Sequence, residues 1–298
     1  MPGLDVRIPV VVVNGAAPGP RLAVTAGLHG AEYPCIEAAI RFSRVLNPAE
    51  MAGSVVVVPV CNPPSFVARR ALVNPMDNKN MNRVFPGNPE GTATDKMAYA
   101  LFETVIRPSN ALADLHGGDL AEDLMPYSLY LETGDAKVTE ASRDMAVAFG
   151  IPYVVPSPTK GTSSSTAATM GIPAIVAEAG AAGQLGEGDV ALLVRGLARL
   201  VRHFGIAPSL RVAEDREGPE PKVLSKLVRV NSEWSGMFYR TKHAGERVKA
   251  GEEVGRVRDI FGDELAVVTA PINGIIIYST SVPPIQPEEM LFSVGALD

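Results

Sequence analysis

The chain has 298 residues, of which 46% are hydrophobic and 20% charged, a composition typical of a folded globular protein rather than a disordered one. A net charge of -6, with no Lys/Arg cluster longer than a pair, argues against a nucleic-acid partner. The longest apolar runs, such as VVVV at 55–58, are far shorter than the ~20 residues of a membrane-spanning helix, and the N-terminal residues lack a signal-peptide pattern. We therefore expect a cytoplasmic protein without a membrane partner.

Short β-rich runs alternate with helical patterns from residue 20 to about 205, which predicts an α/β domain built around a largely parallel sheet. The predicted strands are apolar throughout, as in strands covered on both faces: RLAVTAG (21–27), SVVVVPV (54–60), ALADLH (111–116) and PAIVAEAG (173–180). The predicted helices show apolar residues at helical spacing: 34–46, 95–106, 140–149 and 188–205, the last ending at Gly205.

Residues 61–92 are rich in Asn, Pro and Gly and have no periodicity. A segment of this length exceeds the ~12 to 15 residues of an ordinary loop, and such long loops are usually functional. We therefore expect this loop to contribute to a site.

A polar, Pro-containing stretch at 214–221 predicts a linker, after which only short strands are expected. These strands lie at 226–231, 236–240, 253–259, 265–270, 274–279 and 290–295 and are separated by Gly, Pro or Asn. We predict a catalytic α/β domain at 1–215 and a small all-β domain, barrel-like or hammerhead-like, at 222–298.

Three potential metal ligands follow predicted strands. His29 and Glu32 lie in GLHGAEYP (27–34), and His116 ends ALADLH. Ligands of open α/β sheets gather at the carboxyl ends of strands, and two imidazoles with one carboxylate form a typical catalytic zinc set. Magnesium would require more oxygen ligands. The alternative is that both histidines are ordinary polar residues at strand ends.

Two further groups could act beside such a metal. Glu178 follows a buried strand, where a carboxylate is either costly to bury or useful as a general base; a buried ion pair is the alternative. Asn82 and Arg83 lie in the long loop, and Arg can hold a carboxylate through two parallel hydrogen bonds. A solvated Arg beside a turn Asn is the alternative for that pair.

Four motifs in this order, GLHGAEYP, NMNRVFPG, DLHGG and AEAG, resemble the succinylglutamate desuccinylase/aspartoacylase family of zinc-dependent amidohydrolases, which is related to the zinc carboxypeptidases. The C-terminal β segment resembles the small β domain of that family. The resemblance implies a zinc-carboxypeptidase-like α/β fold and one Zn²⁺ on His29, Glu32 and His116. It also implies a substrate carboxylate on Asn82 and Arg83, with Glu178 as the base.

The sequence departs from the family pattern at two positions. Members of the family usually carry an Arg upstream of the Asn-Arg pair that polarises the scissile carbonyl, and here Arg70 is the nearest candidate, with Arg69 as the rival. Asn80 occupies a position where relatives often have an Asp that orients a zinc-bound imidazole, so Asn80 or Asp114 is expected to take this role. A supporting Tyr is expected among Tyr127, Tyr130 and Tyr153.

The function predicted from these residues is zinc-dependent hydrolysis of a small N-acyl amino acid or a related carboxylate-bearing amide. A zinc carboxypeptidase acting on peptides is the nearer alternative. A non-catalytic binding module is the more distant one, because APINGIIIYS resembles biotinyl and lipoyl carriers but lacks their modifiable Lys. The substrate's acyl group and amine stay open, as does the formation of a homo-oligomer.

Overall fold

The computed structural model describes residues 5–213, 215 and 220–297. The α-helices are α1 (Tyr33–Val45), α2 (Pro63–Val67), α3 (Ala93–Leu101), α4 (Ala136–Phe149), α5 (Ser163–Thr169) and α6 (Glu187–His203). The strands of the first part are β1 (Val11–Asn14), β2 (Ala17–Ala26), β3 (Ala52–Val58), β4 (Ala111–His116), β5 (Glu122–Leu124), β6 (Tyr127–Leu131), β7 (Tyr153–Ser157) and β8 (Ala174–Glu178). Those of the second part are β9 (Lys222–Val223), β10 (Leu227–Asn231), β11 (Gly236–Arg240), β12 (Arg247–Val248), β13 (Glu253–Arg258), β14 (Glu264–Thr269), β15 (Gly274–Thr280), β16 (Pro284–Ile285) and β17 (Met290–Ala296).

The central sheet has the strand order β1-β3-β2-β4-β8-β6-β7-β9. Strands β3, β2, β4 and β8 are parallel, whereas β1 is antiparallel at one edge and β6 runs antiparallel to β8. The predicted α/β class with a mixed, largely parallel sheet flanked by helices is therefore confirmed. Because β2, β4 and β8 are adjacent and parallel, the residues that follow them meet at one edge of the sheet.

Helices cover both faces of this sheet, which explains its uninterrupted apolar strands. Leu22 and Val24 of β2 belong to the core formed with α1, α4 and α6, whereas Ala23, which points to the opposite face, belongs to the core formed with α3 and α5. All three side chains are fully buried. The predicted helix at 95–106 is observed as α3 followed by a π-helical turn at Phe102–Ile106.

Several elements were not predicted, namely β1, β5, β6, β7, β9, β12, β16 and the short helices α2 and α5. Helix α5 has the sequence SSSTAAT, which shows no apolar periodicity. It begins with a capping box, in which Thr162 and Ser165 satisfy each other's backbone N–H groups. Short-range capping and burial therefore stabilise this helix where an amphipathic pattern is missing.

The C-terminal part is all-β, as expected. One sheet has the order β10-β17-β15-β12 and the other β14-β13-β11-β16, and their apolar faces share a core that includes Phe238, Ile276 and Phe292. Strand β5 of the first part pairs with β15, and β9 pairs with β7 of the central sheet. Each part thus supplies a strand to a sheet of the other.

Of the predicted linker 214–221, residues 214 and 216–219 lie outside the described residues. The division into units at 1–215 and 222–298 stays a prediction. Within the part of the chain that the structure describes, we find no helix with the length and hydropathy needed to cross a membrane.

Candidate active site

His29 and Glu32 lie in a tight connection between β2 and α1. Gly27 begins it with φ of +65°, a left-handed conformation in which a side chain would also crowd Ile36. Glu32 immediately precedes α1, and Pro34 occupies the first turn of the helix, where its missing N–H is tolerated. This turn brings both side chains to the carboxyl edge of the sheet.

His116 and Glu178 reach the same edge as the last residues of β4 and β8. The two strands are parallel neighbours, and these two residues are direct partners in the register. Gly117 follows His116, and a Cβ there would lie 2.2 Å from the carbonyl oxygen of Ala179, so only glycine allows the backbones to approach this closely. The predicted strand ends therefore position both residues.

The three predicted metal ligands converge. One ligand atom from each of His29, Glu32 and His116 lies within 4.8 Å of the others. The Glu32 carboxylate lies between the rings, with Oε1 2.6 Å from His29 Nδ1 and Oε2 3.0 Å from His116 Nδ1. All three residues are buried.

The remaining imidazole nitrogens face oxygen acceptors. His29 Nε2 lies 3.2 Å from Asn80 Oδ1, and His116 Nε2 lies 3.0 Å from Asp114 Oδ2. In neutral rings these contacts favour a proton on Nε2, which leaves both Nδ1 lone pairs directed at the Glu32 carboxylate. Lone pairs and an anion repel each other unless a cation lies between them. The donor set therefore fits a divalent metal ion, and both expected orienting residues, Asn80 and Asp114, are used.

The pKa values of Glu32 and His116 reflect the charges that surround these two residues. Burial opposes the charged form of Glu32, but the neighbouring His29 and His116 lower its pKa to about 2. Burial likewise disfavours a charged His116, yet Asp114 and Glu32 raise the pKa of this imidazole well above its ordinary value. The cluster thus stabilises positive charge between its carboxylates.

Asp114 is fully buried and connects the cluster to its surroundings. Its Oδ1 accepts a hydrogen bond from Thr25 at 2.6 Å, and its Oδ2 accepts one from the Ser163 hydroxyl in addition to the His116 contact. With these bonds the carboxylate is held in one orientation, and so is the imidazole that it contacts.

Glu178 lies beside the cluster in the same cavity. Burial raises the pKa of Glu178 to about 8, with a smaller opposing effect of His116. Among the described residues no ion pair to Glu178 is found, so the buried ion pair considered from the sequence is not observed. A cation held by His29, Glu32 and His116 would lower this pKa and favour the carboxylate.

The long loop brings Asn82 and Arg83 to the cavity, but in different ways. Asn82 is buried; its Oδ1 accepts the Ser163 backbone N–H at 2.9 Å, and its Nδ2 lies 3.4 Å from His116 Nε2. Arg83 is more exposed and donates from Nη1 to the Asn82 carbonyl oxygen at 2.7 Å. Arg83 therefore keeps donors free for a ligand, whereas much of the Asn82 amide is already hydrogen-bonded.

The two arginines considered for polarising the carbonyl lie elsewhere. Neither Arg70 nor Arg69 lines the cavity, and both are exposed. Helix α2 ends just before them, Arg69 adopts φ of +52°, and the Arg70 N–H donates back to the Ser65 carbonyl at 2.9 Å. The catalytic assignment of Arg70 stays a prediction, and its position gives it no support.

Tyrosines are present at the cavity, which has a volume of about 240 Å³. Tyr127 and Tyr130 line it, whereas Tyr153 does not. Tyr127 is the register partner of Glu178 in the antiparallel pair of β6 and β8, and burial, together with Glu178, raises the pKa of its phenol. Of the three predicted candidates, Tyr127 is thus next to the expected base.

Three titratable lining residues were missed by the sequence analysis: Glu122, Arg229 and Tyr278. Burial and the neighbouring Asp119 raise the pKa of Glu122 to about 7. Arg229 and Tyr278 belong to β10 and β15 of the C-terminal part. A polar residue within an apolar strand, as in KLVRVN, was the available signal, but it does not reveal which surface the strand faces.

The chain is similar to known proteins over most of its length. The family described as the succinylglutamate desuccinylase/aspartoacylase catalytic domain matches residues 18–204. A Halomonas elongata protein named N-alpha-acetyl-L-2,4-diaminobutyric acid deacetylase is 30% identical over 270 residues, which cover 88% of this chain and 77% of the relative.

Solved structures are similar over nearly the whole chain. The product-bound structure of the ectoine utilization protein EutE (DoeB) from Ruegeria pomeroyi has a TM-score of 0.89 at 26% identity, covering 98% of this chain and 90% of that one. A succinylglutamate desuccinylase/aspartoacylase from Rhodobacter sphaeroides shares the fold, with a TM-score of 0.87 at 24% identity over 97% and 89% of the two chains. The matched catalytic domain and the relative with 30% identity show that the chain belongs to the succinylglutamate desuccinylase/aspartoacylase family.

Proposed function

We propose that this protein is a zinc-dependent amidohydrolase that removes the acyl group from a small N-acyl amino acid. The observation that carries the proposal is the convergence of His29, Glu32 and His116 within 4.8 Å, beside the half-buried Glu178 in one cavity. The relative named as a deacetylase of N-alpha-acetyl-L-2,4-diaminobutyric acid supports the same reaction class. The proposal includes the cytoplasmic location that we expect from the sequence.

His29 and His116, through Nδ1, and Glu32, through its carboxylate, would hold the metal. Two imidazoles and one carboxylate suit zinc, whereas magnesium and calcium prefer sites built of oxygen ligands. When bound in such a site, zinc acts as a Lewis acid that lowers the pKa of water and polarises a carbonyl group.

Glu178 moves the proton in the proposed reaction. Its carboxylate oxygen accepts a proton from the water that attacks the acyl carbonyl, and it then delivers this proton to the nitrogen of the leaving amine as the amide bond breaks. The products are a carboxylic acid and a free amino acid. Tyr127, directly beside Glu178, is placed to donate a hydrogen bond to the oxyanion that forms on the carbonyl oxygen.

Arg83 binds the substrate carboxylate in this proposal, and the buried amide of Asn82 supports it. Asn82 fixes the local backbone through Ser163, and its carbonyl oxygen accepts a hydrogen bond from Arg83. The guanidinium of Arg83 therefore starts from a restrained position, which reduces the entropy lost when a carboxylate is bound.

The size of the cavity favours a small substrate over a peptide. Its volume of about 240 Å³ lies below the ~300 to 1,000 Å³ of pockets for drug-sized ligands. Strands β10, β15 and β17 contribute one wall, through Arg229, Tyr278 and Met290. A peptide carboxypeptidase has to leave its cleft open to long chains, so this wall favours the deacylase over the carboxypeptidase.

The proposal is tested with purified protein, its metal content and a panel of substrates. N-acetyl-L-2,4-diaminobutyrate, N-acetyl-L-aspartate and N-succinyl-L-glutamate are compared with a dipeptide and a hexapeptide, and release of free amine is measured. We expect about one zinc per chain, as three protein ligands with one open position imply, and turnover of an N-acyl amino acid but not of the hexapeptide. Faster cleavage of the peptides would favour the carboxypeptidase, and a metal-free, inactive protein would refute the proposal.

Exchange of Arg83 for Lys is expected to raise KM for an N-acyl amino acid about tenfold, with little change in kcat. Lys keeps the positive charge but loses the planar fork that matches a carboxylate. Steady-state kinetics measure the effect, with Arg107→Lys on the outer face of the molecule as the matched control. An unchanged KM would remove Arg83 from the substrate site.

The Asp114→Asn variant is expected to bind zinc about 10- to 100-fold more weakly than the wild type, because it loses the charge that orients His116. Competition with a chromophoric chelator measures this affinity. Asp144→Asn, on the exposed face of α4, serves as the control. Wild-type affinity in the Asp114 variant would contradict the orienting role.

A further inference from the structure

A second arginine lines the same cavity, and it comes from the C-terminal part. Arg229 is the central residue of β10, on the sheet that forms one wall of the cavity. Arg83, from the long loop, lines the cavity as well. The two guanidinium groups therefore border one cavity although the two residues are 146 positions apart in the sequence.

Arg229 and Arg83 are close enough to influence each other electrostatically. Desolvation at the cavity lowers the pKa of Arg83, and the charge of Arg229 lowers it further, whereas Glu178 acts in the opposite direction. The charge of Arg229 also opposes the rise that burial causes in the pKa of the half-buried Tyr127. Both interactions place the positive charge of Arg229 near the expected base and its surroundings.

Neither arginine is neutralised by a carboxylate within the described residues. Other arginines of this chain do have acidic partners, such as Arg202 with Asp215 at 2.8 Å and Arg240 with Asp123 at 2.5 Å. No ion pair is found for Arg83, and none for Arg229, in the part of the chain that the structure describes. Two positive charges that border one cavity without an ion-pair partner among the described residues favour the binding of an anion there.

We propose that Arg229 is a specificity-determining residue, which binds the carboxylate of the substrate's amino-acid moiety together with Arg83. The inference rests on the proposed function and deepens it, because it assigns part of substrate recognition to the C-terminal β region. A single carboxylate has two oxygens and about four acceptor positions, enough to accept hydrogen bonds from both guanidinium groups. Substrates that lack this carboxylate leave two neighbouring positive charges unbalanced and are bound poorly.

The test compares N-acetyl-L-2,4-diaminobutyrate with its carboxamide, in which the carboxylate is replaced by a neutral amide. In the wild type we expect the carboxylate form to have the lower KM. In Arg229→Met we expect KM for the carboxylate form to rise about 10- to 100-fold, because a hydrogen bond to a charged group is lost, while KM for the carboxamide and kcat change little. Arg229→Lys should restore part of the preference.

Arg247→Met provides the matched control, since Arg247 is an exposed arginine on β12 of the same sheet and does not line the cavity. We expect this variant to keep the wild-type preference. If Arg229 had only a structural role, its replacement would weaken the binding of the carboxylate and of the carboxamide equally. An equal loss for both compounds, or an unchanged preference in Arg229→Met, would overturn the inference.

Calorimetric binding of the same two compounds separates this inference from the proposed function. If the wild type binds the carboxylate form more tightly than the carboxamide and Arg229→Met loses this preference, the role of Arg229 is supported. This holds even if no hydrolysis is detected, a result that would refute the proposed function but not the role of Arg229. A wild-type protein that binds both compounds equally, or binds neither, overturns the inference.

Discussion

Replacing Glu178 by Gln is expected to lower kcat by about 10²- to 10⁴-fold, the usual contribution of a positioned general base. Gln has nearly the same shape, so the packing at the end of β8 is preserved while the proton acceptor is lost. Zinc should stay bound, because Glu178 is not one of the three converging ligands. Turnover of the best substrate and metal content of the same sample measure both effects.

The Glu140→Gln variant is the control for this experiment, because Glu140 is exposed on α4 and far from the cavity lining. A melting temperature close to that of the wild type shows that the Glu178 variant is folded. If the variant retained a near-normal rate, Glu178 would not be the base. If it lost its zinc, Glu178 would belong to the ligand set, and the assignment of His29, Glu32 and His116 would be incomplete.

Removal of zinc by a chelator is expected to abolish hydrolysis, and readdition of Zn²⁺ to restore it. The proposed metal would also stabilise the fold, because it would bind the native arrangement of His29, Glu32 and His116 and not the unfolded chain. At a free zinc concentration of about 1,000 times the dissociation constant, the gain in the free energy of unfolding is about 4 kcal/mol. Thermal unfolding with and without chelator measures this gain.

The His116→Ala variant distinguishes a metal effect from a direct effect of the chelator on the protein. With one ligand missing, its melting temperature should respond little to chelator or to added Zn²⁺. If the wild type kept its activity and its melting temperature in excess chelator, the metal-dependent mechanism would be refuted.

The convergence of His29, Glu32 and His116 could be predicted because local sequence determines their positions. His29 and Glu32 share one tight turn, and His116 ends an apolar strand, so parallel pairing of β2 with β4 is sufficient to bring them together. Asp114 lies two residues before His116 on the same strand, which made it a reasonable orienting residue. These inferences need only strand order and direction.

The remaining parts of the site depend on tertiary packing. The pattern around Arg229 predicts a strand but cannot show that one face of it borders the cavity, because this depends on how β15 and β17 position β10. Arg70 was chosen by spacing along a loop and is exposed after the end of α2, so its catalytic assignment stays a prediction. Spacing is a poor guide where the backbone is irregular.

The pairing of β5 with β15 has a consequence for protein engineering. Residues 122–124 hydrogen-bond to residues 278–280, and Glu122, Leu124 and Tyr278 of these two strands all line the cavity. A chimera that receives the C-terminal region of a relative would acquire a foreign pocket wall together with an unmatched strand edge. To change substrate preference by exchanging the C-terminal region, residues 122–124 therefore have to be exchanged together with residues 278–280.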